Sequence, residues 1–401
     1  MNPSDASFEA AMNKFISSRL GTGTINKLLI QIGSKLLNGK LSTLKPIVED
    51  RSRMAIAREI GHAPEWKRLK AKKIATEVVK TVSSRVIFGE ALANSAAFVD
   101  VMHEYTSKVV PYAFALRYFN VGPLRDFILY VVHWRHRREL EIATRYITEM
   151  IAERRNAQTG TVEEDGQPFD CIQWALEQPV PEDEKTPEVI ARRLLTVSAG
   201  AVDAIVNALV HPLCEIALHG ECIADLREEI GRCLAEEDGG WSQNSMAKMK
   251  KFDSFLHECF RISAMPSALT VWRLVSCESI YLDETLSLPK DTLFTFPTKH
   301  FLHDSDTFPD ADKFDYLRSY NRAEETVKAE PLSTSSKFGY GRQACPGKFY
   351  ALNVCKIALG QIILNYDVRM PGGKNTRPAL LDLDPLLLLD PSTELEFKSL
   401  S

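Results

Sequence analysis

Between Thr186 and His219 the chain reads TPEVIARRLLTVSAGAVDAIVNALVHPLCEIALH. A hydroxyl, a proline at the first turn and an early acid have the chemistry of a helix start. The apolar character then continues almost unbroken, which predicts a helix over 188–219 with a kink at Pro212. A helix that is apolar nearly all round belongs in the middle of a protein. The remaining chain must wrap it, and 401 residues suffice for a core of that size.

What surrounds it is mostly helical. From Ser7 to about Ala157 the pattern is helical with few breaks, marked by Pro64 and Gly122-Pro123, and Ile142–Arg155 forms an amphipathic helix. Residues 156–167 (NAQTGTVEEDGQ) are the clearest loop. After the central helix come helices over Ile223–Glu236, ended by Asp238-Gly239-Gly240, and over Ser245–Ile262. Short β pieces follow at Thr270–Val275, Ser279–Leu282 and Thr292–Phe296, then a loop-rich stretch over His303–Arg318 and a last helix after Gly347. The expected fold class is mostly α with a small β region, in one domain over 1–401.

Composition narrows the partners. A net charge of −4 gives no footprint for nucleic acid. The eight cysteines include no CxxC pair, which suits a reducing, intracellular setting without a disulfide framework. The N-terminus MNPSDASFEAAMNKF lacks a basic stretch followed by an apolar run, and nowhere do eighteen consecutive apolar residues occur, so neither leader nor transmembrane anchor is expected. The nearest approach, Phe127–Trp134 before the basic RHRR, reads as the buried face of a helix whose basic end meets water.

One cysteine stands apart. In FGYGRQACPGKFY (338–350), Cys345 lies between glycine-marked turns and just ahead of an apolar helical run. Gly341 permits a positive φ, and Gly347 lets backbone approach a bulky group. A thiol at a helix N-terminus is stabilised as thiolate by free N–H groups and the helix dipole. It can serve as a nucleophile or as the ligand of something large and flat. A protease signature built on QAC followed by Arg, Gln or Gly fails at Pro346, and FGYGR stands where an apolar strand would be needed.

The stretch FGYGRQACPG resembles the haem-binding loop of cytochromes P450, with Phe338, Gly341, Cys345 and Gly347 at the matching positions. Three further signals fall in that family's order. Glu258 and Arg261 in HECFR resemble its Glu-x-x-Arg helix; LSLPKDT (286–292) looks like its β-region turn; and Arg318 resembles the arginine that completes an ion-paired triad. These cover 245–364 well and the central helix moderately. The first 180 residues match loosely, most like the fungal secondary-metabolism branch.

The resemblance implies a P450-like fold with an incomplete N-terminal part and haem b (iron protoporphyrin IX) bound axially by Cys345. It also implies NADPH-cytochrome P450 reductase as electron donor and an apolar small-molecule substrate oxidised in secondary-metabolite biosynthesis. Relatives are usually anchored on the endoplasmic reticulum. Two departures bear on the chemistry. In GAVDA (200–204), Asp203 matches the family's proton-relay acid, but Ala204 stands where a threonine helps deliver protons to oxygen. Gln343 stands where a cation usually faces a haem propionate, leaving Arg342 and Arg273 as the nearest substitutes. Non-redox cyclisation or rearrangement, or an inactive remnant, are the alternatives these departures raise. For the Trp-x-x-x-Arg of the family's propionate-facing helix, Trp66 with Lys70 four residues on is a weak stand-in.

Overall fold

The computed structural model describes residues 5–7, 10–11, 32–118, 125–158, 168–263, 273–295, 297–326, 338–339, 344–374, 376–383 and 386–400. In chain order the elements begin with β1 (Ala6–Ser7), α1 (Leu41–Glu59), β2 (Lys67–Lys70), α2 (Ala71–Ala93), α3 (Ala96–Tyr118), α4 (Arg125–Gln158) and α5 (Cys171–Leu176). The central α6 (Pro187–Leu218) is followed by α7 (Glu221–Ala235), α8 (Gln243–Lys248) and α9 (Lys250–Ser263). Then come β3 (Arg273–Val275), β4 (Ser279–Tyr281), β5 (Ser287–Pro289), β6 (Leu293–Phe294), α10 (Thr298–Leu302), α11 (Arg318–Thr326) and α12 (Lys348–Asn365). Four strands close the chain: β7 (Tyr366–Arg369), β8 (Leu380–Leu383), β9 (Leu386–Leu389) and β10 (Glu394–Ser399).

Chain contacts cluster into two compact units, one of 1–8, 41–79 and 205–401, the other of 9–40 and 80–204. In the second unit α3 and α4 pack together, and Phe98 makes edge-on contacts with Phe88 and Tyr146 at centroid separations of 5.0 and 5.8 Å. The buried Asp170 carboxylate accepts from the Gln173 N–H at the start of α5 and pairs with both terminal nitrogens of Arg154 at 2.7 Å.

The first unit is built on α12, which packs on α1 and α7. Tyr350, Leu352, Val354, Cys355, Ile357 and Leu359 are all buried, so α12 is a core helix without a wet face through its middle. Beside it runs the antiparallel sheet β2-β10-β7, in which Phe397 of β10 lies opposite Lys67 on one side and Val368 on the other. Gly360 allows the close approach of Trp241: a Cβ there would fall 2.2 Å from the indole ring. Gly360→Ala should lower stability by about 1–3 kcal/mol, because a buried indole must shift out of a packed core. Thermal denaturation of the variant checks this.

The expected central helix is present as α6, and it continues across Pro212. Among the described residues it is the one helix long and apolar enough to cross a membrane, yet more than half of its apolar window is buried inside the protein. The helix expected over Ser245–Ile262 is instead two. The chain breaks at Met249, and the buried Glu229 carboxylate accepts the first free N–H groups of α9, from Lys251 and Phe252, at 2.9 Å each.

The front part is less uniformly helical than its pattern suggested, because β1 and β2 interrupt it. β2 is KRLK, with no β-branched residue; it is a strand because β10 pairs with it. Trp66 precedes this strand and Lys70 ends it, so the two share no helix. The Trp66 ring lies 3.9 Å from the Arg369 guanidinium, and Lys70 pairs with Glu394 in the sheet register.

The buried face expected at Phe127–Trp134 is corrected at two positions: Val131 is 52% exposed and Trp134 74%. The inward residues of α4 are His136, Leu140, Ala143, Ile147 and Ile151, and at about 100° per residue Trp134 falls on the far side of that row. Arg137 and Arg138 are exposed, as expected of the basic end.

Candidate haem-thiolate site

The site begins with a loop and a helix end. The Cys345 N–H donates to the Phe338 carbonyl at 2.6 Å, which brings these two residues together. Gly339, next to Phe338, has φ +69° and is buried, a conformation that favours glycine. Gly347 caps α12, and its carbonyl accepts the first helical hydrogen bond, from Ala351, at 3.0 Å. Gly341 and Arg342 fall outside the described residues.

The sulfur of Cys345 differs from its neighbours in what surrounds it. Cys214, Cys222 and Cys355 are buried, and burial pushes their thiols up to about 12. Burial also pushes the Cys345 thiol up, but the Gly347 N–H and the Lys348 ammonium pull it back toward the thiolate. This is the only half-buried thiol ahead of a helix start among the described residues. Among the described residues a Cβ at Gly347 would meet no atom within 4 Å. A soft donor at a helix N-terminus fits the chemistry of a thiolate ligand for haem iron.

The second cluster lies around α9. Arg261, one turn beyond Glu258, donates through Nε and Nη2 to the two carboxylate oxygens at 2.8 and 2.9 Å. Arg318 opens α11 and points its Nε at both oxygens of the same carboxylate, at 3.2 Å each. Glu258 is 2% exposed, so one buried carboxylate holds two guanidinium groups.

The other arginine donors reach backbone. Arg261 binds the Leu302 carbonyl at 2.8 Å and the Lys313 carbonyl at 3.3 Å, while Arg318 binds Lys313 at 3.0 Å and also the Pro309 carbonyl. The loop-rich stretch is thereby tied to α9 by its own carbonyls. Sequence reasoning did not foresee Asp315, whose N–H donates to Glu258 at 3.0 Å, because backbone groups carry no residue signature.

The geometry therefore assembles three of the expected residues, Glu258, Arg261 and Arg318. Arg273 lies on β3 opposite Phe294, half-buried, and burial lowers its pKa. Asp203 lies on α6, half-buried, and Ala204 beside it is exposed.

A cytochrome P450 family model matches residues 25–397. The chain belongs to the cytochrome P450 family. Aspergilol synthase AuAP450 of Aspergillus ustus is 43% identical over 96% of this chain and 72% of its own length. The cytochrome P450 monooxygenase sttB of Aspergillus terreus is also 43% identical, over 99% of this chain and 76% of its own. A retinoic acid-bound cyanobacterial protein, CYP120A1, shares the fold at a TM-score of 0.69 and 16% identity, covering 98% of this chain and 83% of that one.

These findings bear out the family, the mostly helical P450 fold and the enzyme class: the P450 is an oxidoreductase of the monooxygenase type, and the two relatives at 43% identity are fungal. Membership implies haem with cysteine thiolate ligation and a separate redox partner.

Proposed function

We propose that this P450 inserts oxygen into an apolar small molecule of fungal secondary metabolism, with haem b held by Cys345 and electrons drawn from NADPH-cytochrome P450 reductase. The observation that carries the reading is the setting of Cys345: a half-buried thiol, on a residue whose N–H binds the Phe338 carbonyl, set beside the Gly347 N–H at the start of a core helix. Bound there, haem would supply the activation of dioxygen for attack on a C–H bond.

The chain's own residues do the rest. Burial disfavours the charged form of Cys345, and ligation requires the thiol to give up its proton. The N–H of Gly347 and the charge of Lys348 then hold the sulfur's negative charge. Phe338 shields the sulfur, and Arg342 and Arg273 are the cations proposed for the propionates. Glu258, Arg261 and Arg318 fix α9 and the 302–318 loop as one piece. The half-buried Asp203 carboxylate is the group proposed to take up and pass on protons from α6.

Ala204 favours a second reading, rearrangement or cyclisation without net oxidation, because a methyl group can neither donate nor relay a proton. Both readings meet one experiment. Haem-loaded protein with reductase, NADPH and candidate substrates is assayed for oxygen consumed, hydrogen peroxide and product. Oxidised product is expected, with substantial loss to peroxide, and Ala204→Thr should raise product per oxygen several-fold. Product formed without NADPH or oxygen uptake, and unchanged by Ala204→Thr, would replace the first reading with the second.

A further inference from the structure

The first unit contains a cavity of about 430 Å³, formed by the C-terminal turns of α6, the end of α9, α10 and the β8–β9 hairpin. That is within the size range of small-molecule sites. One wall is apolar: Leu218, Ile262, Leu380 and Leu389. The other holds an ion pair, in which Arg377 grips Glu215 through both terminal nitrogens, Nη2 to Oε2 at 2.9 Å. The Glu215 side chain is 3% exposed and that of Arg377 is 44% exposed.

A guanidinium has five N–H donors, and the grip on Glu215 uses two. Three remain, and among the described residues no protein group accepts them. The charge of the arginine, by contrast, is already matched. Over the lining, the side chains of Arg377 and Lys299 are matched in number by the carboxylates of Glu215 and Asp312. A second carboxylate entering here would meet the Glu215 charge across the same guanidinium. An uncharged oxygen would not, and it would satisfy donors that otherwise need water.

We propose that this cavity binds an uncharged apolar molecule bearing acceptor oxygens, such as an ester or ketone, with Arg377 as its hydrogen-bonding anchor and the leucine wall around its hydrocarbon. The claim goes beyond the haem reading and does not depend on it.

Titration calorimetry of the purified full chain with methyl decanoate and with decanoate tests it. The ester should bind at least tenfold more tightly than the anion. Leu380→Trp, which fills the cavity and leaves the ion pair intact, should weaken ester binding at least tenfold. Arg377→Ala alone would strand a buried carboxylate, so the anchor is tested with Arg377→Met and Glu215→Met together, expected to weaken the ester about fivefold or more.

Equal or tighter binding of decanoate, no binding of the ester, or an unchanged affinity in Leu380→Trp would each overturn the proposal. On haem-loaded protein, an ester-induced change in haem absorbance would assign the occupant as substrate, and calorimetric binding without it would assign an effector. Both uphold the site. Calorimetry reads occupancy without iron, so its failure is distinct from failed haem loading.

Discussion

Glu258→Ala is expected to yield chain that does not retain haem. The wild-type carboxylate is 2% exposed and accepts from Arg261, from Arg318 and from the Asp315 N–H. Without it, two guanidinium groups with side-chain exposures of 5% and 15% face each other with no counter-charge. Removing one partner of a buried ion pair costs about 3–5 kcal/mol, because the charge left behind stays desolvated. Set against a typical net stability of about 5–15 kcal/mol, that is a large share. The damage is also local, since both arginines hold the 302–318 loop through its carbonyls.

The measurement is the ratio of haem absorbance to protein, together with thermal denaturation. Glu394→Ala makes the comparison. Its ion pair with Arg68, at 4.0 Å and with side chains 42% and 53% exposed, should contribute about 0–1 kcal/mol. Normal haem content in Glu258→Ala would remove the triad from the argument.

Legibility in the sequence followed the range of the forces involved. α6 was readable to within a residue or two, because its start chemistry and its all-round apolar character are local. α12 was readable for the same reason, from its apolar spacing after Gly347. Glu258, Arg261 and Arg318 were found through a resemblance spread over sixty residues, and the structure brings both arginines onto the Glu258 carboxylate. No local rule predicts that meeting.

What stayed hidden depends on partners distant in the chain. β2 is a run of lysines, arginine and leucine that is a strand only because residues 394–397 pair with it. The break at Met249 is fixed by Glu229, some twenty residues earlier in sequence. The β8–β9 hairpin is written in leucines on both strands, without the alternation that marks a half-buried strand, and so carried no period to read. The cavity beside it was invisible for the same reason, because Arg377 and Glu215 stand 162 residues apart.

Cys345→Ser should abolish the absorbance that a reduced haem-thiolate shows with carbon monoxide, and monooxygenase activity with it, while leaving the fold in place. The bond to the Phe338 carbonyl uses the backbone N–H of residue 345, which serine also has. The side chain is half-buried, so a hydroxyl can be accommodated there at small cost. A serine hydroxyl ionises far less readily than a thiol and is a hard, poor ligand for this iron. Circular dichroism and melting temperature should therefore stay close to wild type.

Cys355→Ser should do the reverse. That thiol is 1% exposed in the middle of α12, its pKa pushed up to about 12 by burial, and a hydroxyl there must be desolvated at about 1–3 kcal/mol. The spectrum should survive and the melting temperature should fall. The two substitutions exchange the same atom ten residues apart, one just ahead of the α12 cap and one inside α12, so general damage to α12 cannot produce both patterns. If Cys345→Ser keeps the thiolate spectrum, the iron ligand is another residue and the assignment of this loop fails.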